Sequence, residues 1–238
     1  LDLSTTKISA SVAAVMLVSL NGRAPDMVRA REIADEKKLY LIEDAAQSLG
    51  SRWKGKCLGT FGHVGCYSFS SPKVITTGQG GAIVTDDVGI ADRARHLKTF
   101  GTLNYGQEFG VNFKFTDLQA VIGIEQMKKL GWRLTRKRAM FRLYRERLAG
   151  IEAVTFLDTD LQQTAPWFID VMVPDPVDLQ EYLHAQGIGT RRFYQPLRTG
   201  FPNADYAAAH GLWLPSSSFL EDRQIEQVCD AIGAYYTP

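Results

Sequence analysis

The sequence predicts an α/β fold, a mostly parallel sheet domain followed by a smaller α+β domain, and three observations carry that expectation. A strand-like run, Ala13 to Leu20, a helix-forming stretch, Met27 to Lys38, and an apolar strand, Leu39 to Ile42, follow one another as a βαβ unit. Two further strand runs, Cys66 to Phe69 and Ala82 to Val84, flank a glycine-rich turn. From Ile151 onward the pattern changes to short strands alternating with helices.

Each element has a local reason. Asn21 and Gly22 form a turn after the first strand, and Pro25 with Asp26 sets up the helix that follows. Leu39 to Ile42 ends in two acids, Glu43 and Asp44. In open α/β sheets ligands bind beyond the carboxyl ends of the strands, so Asp44 is placed to meet one. Tyr67 to Thr85 reads YSFSSPKVITTGQGGAIVT: the strand breaks at Ser70, Ser71 and Pro72, and Lys73 falls in the turn. Gly78, Gly80 and Gly81 permit dihedrals and close approaches that side chains forbid. Asp86 to Lys98 is a polar-faced helix, and Phe100 to Phe115 is a Gly- and Asn-rich loop with interleaved aromatics, read as a structured active-site loop.

Thr116 with Gln119 makes a capping box, and Leu118, Val121, Ile122, Met127 and Leu130 follow at helical spacing. After Gly131 a basic helix continues to about Leu148, its run Arg133 to Arg147 expected to be a solvated face. Val154 to Phe156 and Trp167 to Val173 read as strands, Asp178 to Gln186 as a helix ended by Gly187, and Asp222 to Tyr235 as a final helix.

Composition narrows the function. With 238 residues, 45% hydrophobic and 22% charged, the chain can bury a sizeable core. A net charge of +1 argues against a general nucleic-acid or membrane surface and for a small partner. The interleaved aromatics of the 100–115 loop could suggest single-stranded nucleic-acid binding, but the basic groove this needs is missing. Cys57, Cys66 and Cys229 are odd in number and lack CxxC spacing, which fits a reducing cytoplasm without a disulfide framework or zinc site. The four histidines, His63, His96, His184 and His210, share no metal-site spacing. Ala13 to Leu20 is too short to span a bilayer, and no targeting signal, repeat or low-complexity segment stands out. GxSxG, Walker A and Rossmann fingerprints are absent.

A lysine held rigidly in a turn is suited to attack a carbonyl, because desolvation lowers its pKa and lets it form a Schiff base. A cofactor that needs such a lysine together with an acid on its ring nitrogen is pyridoxal phosphate, whose ring is an electron sink. Lys73 and Asp44 supply that pair.

Several motifs together resemble one family. GluAspAlaAlaGln at 43–47, SerPhe at 68–69, ProLys at 72–73 and GlyGlnGlyGly at 78–81 are similar to the signature of the DegT family of nucleotide-sugar aminotransferases, within fold type I of the pyridoxal-phosphate enzymes. GlnGlyIleGlyThrArg at 186–191, TyrGlnProLeu at 194–197 and LeuTrpLeuProSer at 212–216 resemble its C-terminal landmarks. The resemblance implies residues 1–130 as the later part of the cofactor-binding large domain, 131–150 as the linking helix and 151–238 as the small domain. It also implies that roughly the family's first third, with a phosphate-binding helix and a ring-stacking residue, is not matched, leaving a sheet edge and some core face uncovered.

By the same resemblance Lys73 is the Schiff-base lysine and proton-transfer base, and Asp44 the partner of the pyridine nitrogen. Ala46 packs under the ring, Gln47 lies near its phenolic oxygen, and Ser68 binds the phosphate. Asn112 resembles the asparagine that reaches across a homodimer to the partner's cofactor phosphate, with Phe113 and Lys114 keeping the usual chemistry beside it. One branch of the family replaces the lysine with histidine and is a dehydratase; Lys73 speaks for the aminotransferase branch. Arg198 and Ser19 stand where the family often has histidines, which leaves the substrate open, and Arg191, Arg192 and Arg198 are candidates to pair with a diphosphate. The expected reaction moves an amino group from glutamate to a keto carbon of a nucleotide-linked deoxysugar. The alternatives are a keto-inositol acceptor and a non-catalytic remnant that binds or regulates.

Overall fold

The computed structural model describes residues 8–9, 11–101 and 108–237. The described residues form two units, those within 1–132 together with 162–165, and those within 133–161 together with 166–238.

In the first unit β1 (Ala14–Val18), α1 (Met27–Glu36) and β2 (Tyr40–Asp44) form the expected unit, with β1 and β2 parallel and Val18 opposite Asp44. The first strand stops at Val18 rather than Leu20, because Asn21 and Gly22 take left-handed backbone (φ 52° and 79°) and wind residues 20–22 into a short turn. Asp26 starts α1 by accepting hydrogen bonds from the N–H groups of Val28 and Arg29. Met27, Ala30 and Ala34 line the helix face buried against Leu17, Leu39 and Leu41.

A two-residue hairpin absent from the sequence reading follows, β3 (Arg52–Trp53) with β4 (Lys56–Cys57), turned by Lys54 and Gly55 in left-handed backbone. Then β5 (Val64–Ser68) joins parallel to β2 and β6 (Gly81–Val84) pairs antiparallel to β5, giving the order β1-β2-β5-β6. Pleating puts Leu17, Leu41 and Glu43 on the buried sheet face and Met16, Val18, Tyr40, Asp44 and Ile83 on the other, where the apolar side chains of this set are exposed.

α2 (Val88–Leu97) is capped by Asp87. Of the expected loop, residues 102–107 lie outside the described residues, and Thr99 bridges Asn112 on the far side. α3 (Asp117–Lys128) begins at the predicted capping box, and a break at Lys129 separates it from α4 (Leu130–Arg147). No residue of α3 is buried: Leu118 is 80% exposed, and Val121, Ile122, Ile124 and Met127 are exposed too.

The second unit is built on α4 and the antiparallel sheet β7-β8-β10-β9. Its elements are β7 (Thr155–Phe156), β8 (Ile169–Met172), α5 (Pro176–Ala185), β9 (Arg191–Arg192), α6 (Pro202–His210), β10 (Gly211–Leu214) and α7 (Asp222–Tyr236). α5 starts two residues earlier than Asp178 because Pro176 occupies the first turn, where its missing N–H costs nothing. Gly187 (φ 76°) ends it as read. The sequence reading has no counterpart to α6, which buries no residue and so shows no apolar stripe. Met140, Phe141 and Tyr144 of α4 meet Ile169, Val171, Leu179, Leu212, Ile225 and Ile232 in one core.

The basic run of α4 is not simply a solvated face. Lys137 is 5% exposed and occupies a core position beside Met140, Phe141 and Tyr144. Its Nζ donates to the carbonyls of Trp167 (2.6 Å) and Ser216, while Arg136 bonds the Leu220 carbonyl and Asp222. Burial alone pulls the Lys137 amine down to about 7.

Candidate active site

The carboxyl ends of β1, β2 and β5 lie at one edge of the sheet, and the candidate residues of this unit gather there. Asp44 closes β2, with Val18 opposite it on one side and Cys66 on the other. Its backbone carbonyl accepts from Ser19 (3.1 Å), and its Oδ1 accepts from the N–H of Ala46 (3.0 Å). That second bond is an Asx-type turn, which fixes the carboxylate at the strand end. Gln47 follows in the same turn and accepts the Asn21 N–H at its Oε1 (3.0 Å), tying the ends of β1 and β2 together.

Ser68 ends β5, and its hydroxyl bonds Ser70 Oγ (3.1 Å) and accepts the Ser70 N–H (3.3 Å). The chain then turns: the Lys73 N–H donates to Ser70 O (3.1 Å), and the Thr77 N–H donates to Phe69 O (2.9 Å). Lys73 therefore sits in a closed loop joining β5 to β6, at the Asp44 edge of the sheet. Gly80 (φ 144°) needs both its conformation and its lack of a side chain, since a Cβ there would lie 2.5 Å from Phe115 and 3.0 Å from Thr77 Oγ1. Gln119 adds a brace from α3, donating to the Gln79 carbonyl (2.8 Å).

The electrostatics suit a reactive amine. Partial burial holds Lys73 below the ordinary lysine range, and the Asp44 charge opposes that shift, which places the two groups within interaction range of each other. Burial, and behind it the Asp44 charge, push the Cys66 thiol up. Tyr67 is pushed up to about 12, mainly by burial, and donates to Leu58 O (2.5 Å).

Asp44, Ala46, Gln47, Ser68 and Lys73 thus share one sheet edge. Asn112 is exposed beyond α2, where its backbone pairs with Thr99. Arg191, Arg192 and Arg198 are exposed in the second unit, Arg191 with its guanidinium over the rings of Tyr194 (4.8 Å) and Trp213 (5.6 Å). Sequence reasoning treated Glu43 only as the first of two acids. In fact it is fully buried and accepts three backbone N–H groups, from Gly59 (2.7 Å), Phe61 (2.5 Å) and Gly62 (2.6 Å). Strand alternation could have revealed this, since neighbours on a strand face opposite ways.

The donor set fits pyridoxal phosphate: an amine depressed by burial, a carboxylate fixed within its electrostatic reach, and hydroxyl donors at an adjacent strand end. The sequence profile described as the DegT/DnrJ/EryC1/StrS aminotransferase family matches residues 3–233. GDP-perosamine synthase of Escherichia coli O157:H7 is 31% identical over 247 residues, covering 97% of this chain and 68% of that protein. The putative pyridoxal phosphate-dependent aminotransferase EpsN of Bacillus subtilis is 31% identical over 194 residues, 78% of this chain and 50% of EpsN. The crystal structure of DesV from S. venezuelae, in complex with a ketimine intermediate, superimposes with a TM-score of 0.89 at 29% identity, covering 97% of this chain and 67% of DesV. The chain spans between half and about two thirds of the length of these proteins.

Proposed function

The chain belongs to the DegT/DnrJ/EryC1/StrS aminotransferase family, and on that premise we propose that it transfers an amino group, with glutamate as donor, to a keto carbon of a nucleotide-linked deoxysugar, using pyridoxal phosphate. The observation that carries this reading is Lys73, an amine lowered by burial in a closed turn and coupled to the Asp44 carboxylate at the carboxyl edge of the sheet. A nucleotide-linked acceptor is favoured because GDP-perosamine synthase by name makes a GDP-linked product.

When bound, pyridoxal phosphate supplies an electron sink for proton removal beside the amino group. The protein's own residues then have distinct tasks. Lys73 Nζ would hold the cofactor covalently and would take and return the transferred proton as general base and acid. A pKa lowered by burial leaves more of that amine unprotonated at a given pH than an ordinary lysine would be. Asp44, held by the Ala46 N–H, keeps the ring nitrogen protonated. The Ser68 hydroxyl, which here donates to Ser70 Oγ, would turn its proton to the phosphate, and Gln47, whose Oε1 is engaged by Asn21, would offer its NH2 group to the phenolic oxygen. Asn112, on an exposed segment, contacts the cofactor phosphate of a second copy, and the exposed apolar residues of α3 support such a homodimer. No helix among the described residues is long and apolar enough to cross a membrane; a reducing cytoplasm suits the three free cysteines.

The test is an absorbance spectrum of the protein with added pyridoxal phosphate, set against Lys73→Ala. A visible band that borohydride abolishes, that glutamate bleaches and that the variant lacks is the expected result. A protein that loads the cofactor identically without Lys73 refutes the assignment.

A further inference from the structure

Glu43 is adjacent to the proposed ring-nitrogen partner, yet it points the other way. On the buried face of β2 its carboxylate draws in the segment 58–62: Oε2 accepts from Gly59 and Oε1 from both Phe61 and Gly62. That segment is pressed against the sheet along its length. A Cβ on Gly59 (φ 92°) would meet the Tyr67 hydroxyl at 2.4 Å, and one on Gly62 would meet Leu41 O at 2.5 Å. A Cβ on Gly65, the strand partner of Glu43, would meet Gly59 O at 1.8 Å. At its end the His63 N–H donates to Leu41 O (2.8 Å), and the His63 Nδ1 accepts the Leu41 N–H (2.9 Å). The buried charge therefore clamps a loop to β2 and β5 from beneath, directly under the point where those strands present Asp44 and Cys66.

We propose that Glu43 is a positioning residue for Asp44. Its three hydrogen bonds fix the end of β2 so that the carboxylate on the opposite face stands at one depth and orientation toward the ring nitrogen. Three charge-assisted bonds from rigid backbone donors suit this role, because a carboxylate accepts at both oxygens and needs no proton placement. Glutamine cannot replace it: one of its two terminal atoms becomes an NH2 facing an N–H donor. This inference rests on the pyridoxal-phosphate reading of Asp44.

The experiment follows the pH at which the visible band of the cofactor-loaded protein interconverts, in wild type, Asp44→Asn, Glu43→Gln and Tyr67→Phe. Asp44→Asn sets the direction and size of shift caused by losing the carboxylate. Glu43→Gln is expected to move the midpoint the same way by about half a pH unit, a ~3-fold change in proton affinity. Tyr67→Phe loosens the same loop by removing only its bond to Leu58 O, and is expected to lower the thermal midpoint by about 2–4 °C while leaving the band midpoint in place. A Glu43→Gln protein that folds, loads the cofactor and titrates like wild type overturns the inference. So does a Tyr67→Phe protein with an equal shift, which would make loop stability the cause. If Asp44→Asn itself leaves the midpoint unmoved, the reading of Asp44 fails, and the inference with it.

Discussion

Replacing Lys137 with methionine tests what burial does to an amine in this fold. Methionine keeps the unbranched shape and removes the titratable group. In the folded chain Lys137 falls from the ordinary 10.5 to about 7, with desolvation as the cause. Because the folded pKa is the lower one, the unfolded chain binds the extra proton between pH 7 and 10.5, and stability rises with pH across that window. Below about pH 7 both states carry the charge and the cost of burying it is constant; above 10.5 neither does. At ~1.4 kcal/mol per pH unit the full window amounts to about 5 kcal/mol as an upper bound.

Lys137→Met abolishes that slope and adds a pH-independent loss of about 1–3 kcal/mol for each hydrogen bond that Lys137 donates, to the Trp167 and Ser216 carbonyls. The assay is urea unfolding of both proteins at pH 7, 8, 9 and 10. The stability difference, wild type minus variant, is expected to grow by about 1 kcal/mol per pH unit toward alkaline pH. All other titrating groups cancel between the two proteins, so parallel curves would refute the argument that Lys137 loses its proton on folding.

Two further outcomes bear on the proposed reaction. The rate at which the protein takes up pyridoxal phosphate should rise with pH and reach its plateau below the ordinary lysine pKa, since only unprotonated Lys73 attacks; in Asp44→Asn the plateau should move lower still, because the charge that raises Lys73 is gone. Stopped-flow absorbance across pH measures both, and a plateau that moves up in the variant contradicts the electrostatic coupling. Mixing inactive Lys73→Ala with inactive Asn112→Ala should restore about a quarter of wild-type activity, because half the dimers are mixed and each mixed dimer has one intact site. A mixture that stays inactive while exchanging subunits places Asn112 in its own subunit's site.

Much of the first unit was legible because its signals are local. Asp26 and Thr116 cap the helices they are read as starting, Asp87 caps a helix whose start was read earlier, at Asp86, and the glycines of 78–81 mark a close approach found at Gly80 and Gly81. Elements without a local signal were lost. β9 is two exposed arginines and α6 buries nothing, so neither carries a period to read. The roles of Glu43 and Lys137 were hidden for a different reason. Both are charged residues in buried positions, and what makes burial tolerable is backbone contributed by segments 16 to 79 residues away, which composition and spacing do not encode.

The two perturbed lysines show why geometry has to decide function. Lys137 is the more strongly shifted, and a search for displaced pKa values alone would select it over Lys73. It is nonetheless the poorer catalyst. Its Nζ is spent on two carbonyls inside a core, and at 5% exposure a substrate carbon has no path to it. Lys73 is lowered less, because burial is incomplete and the Asp44 charge pulls the other way. Partial burial is what a covalent role requires: enough desolvation to keep the amine reactive, enough access to meet a cofactor, and a carboxylate close by that can serve the far side of the same ring. The turn that holds Lys73, closed by Ser70 and the Phe69–Thr77 bond, supplies the rigidity that Lys137 obtains from its core.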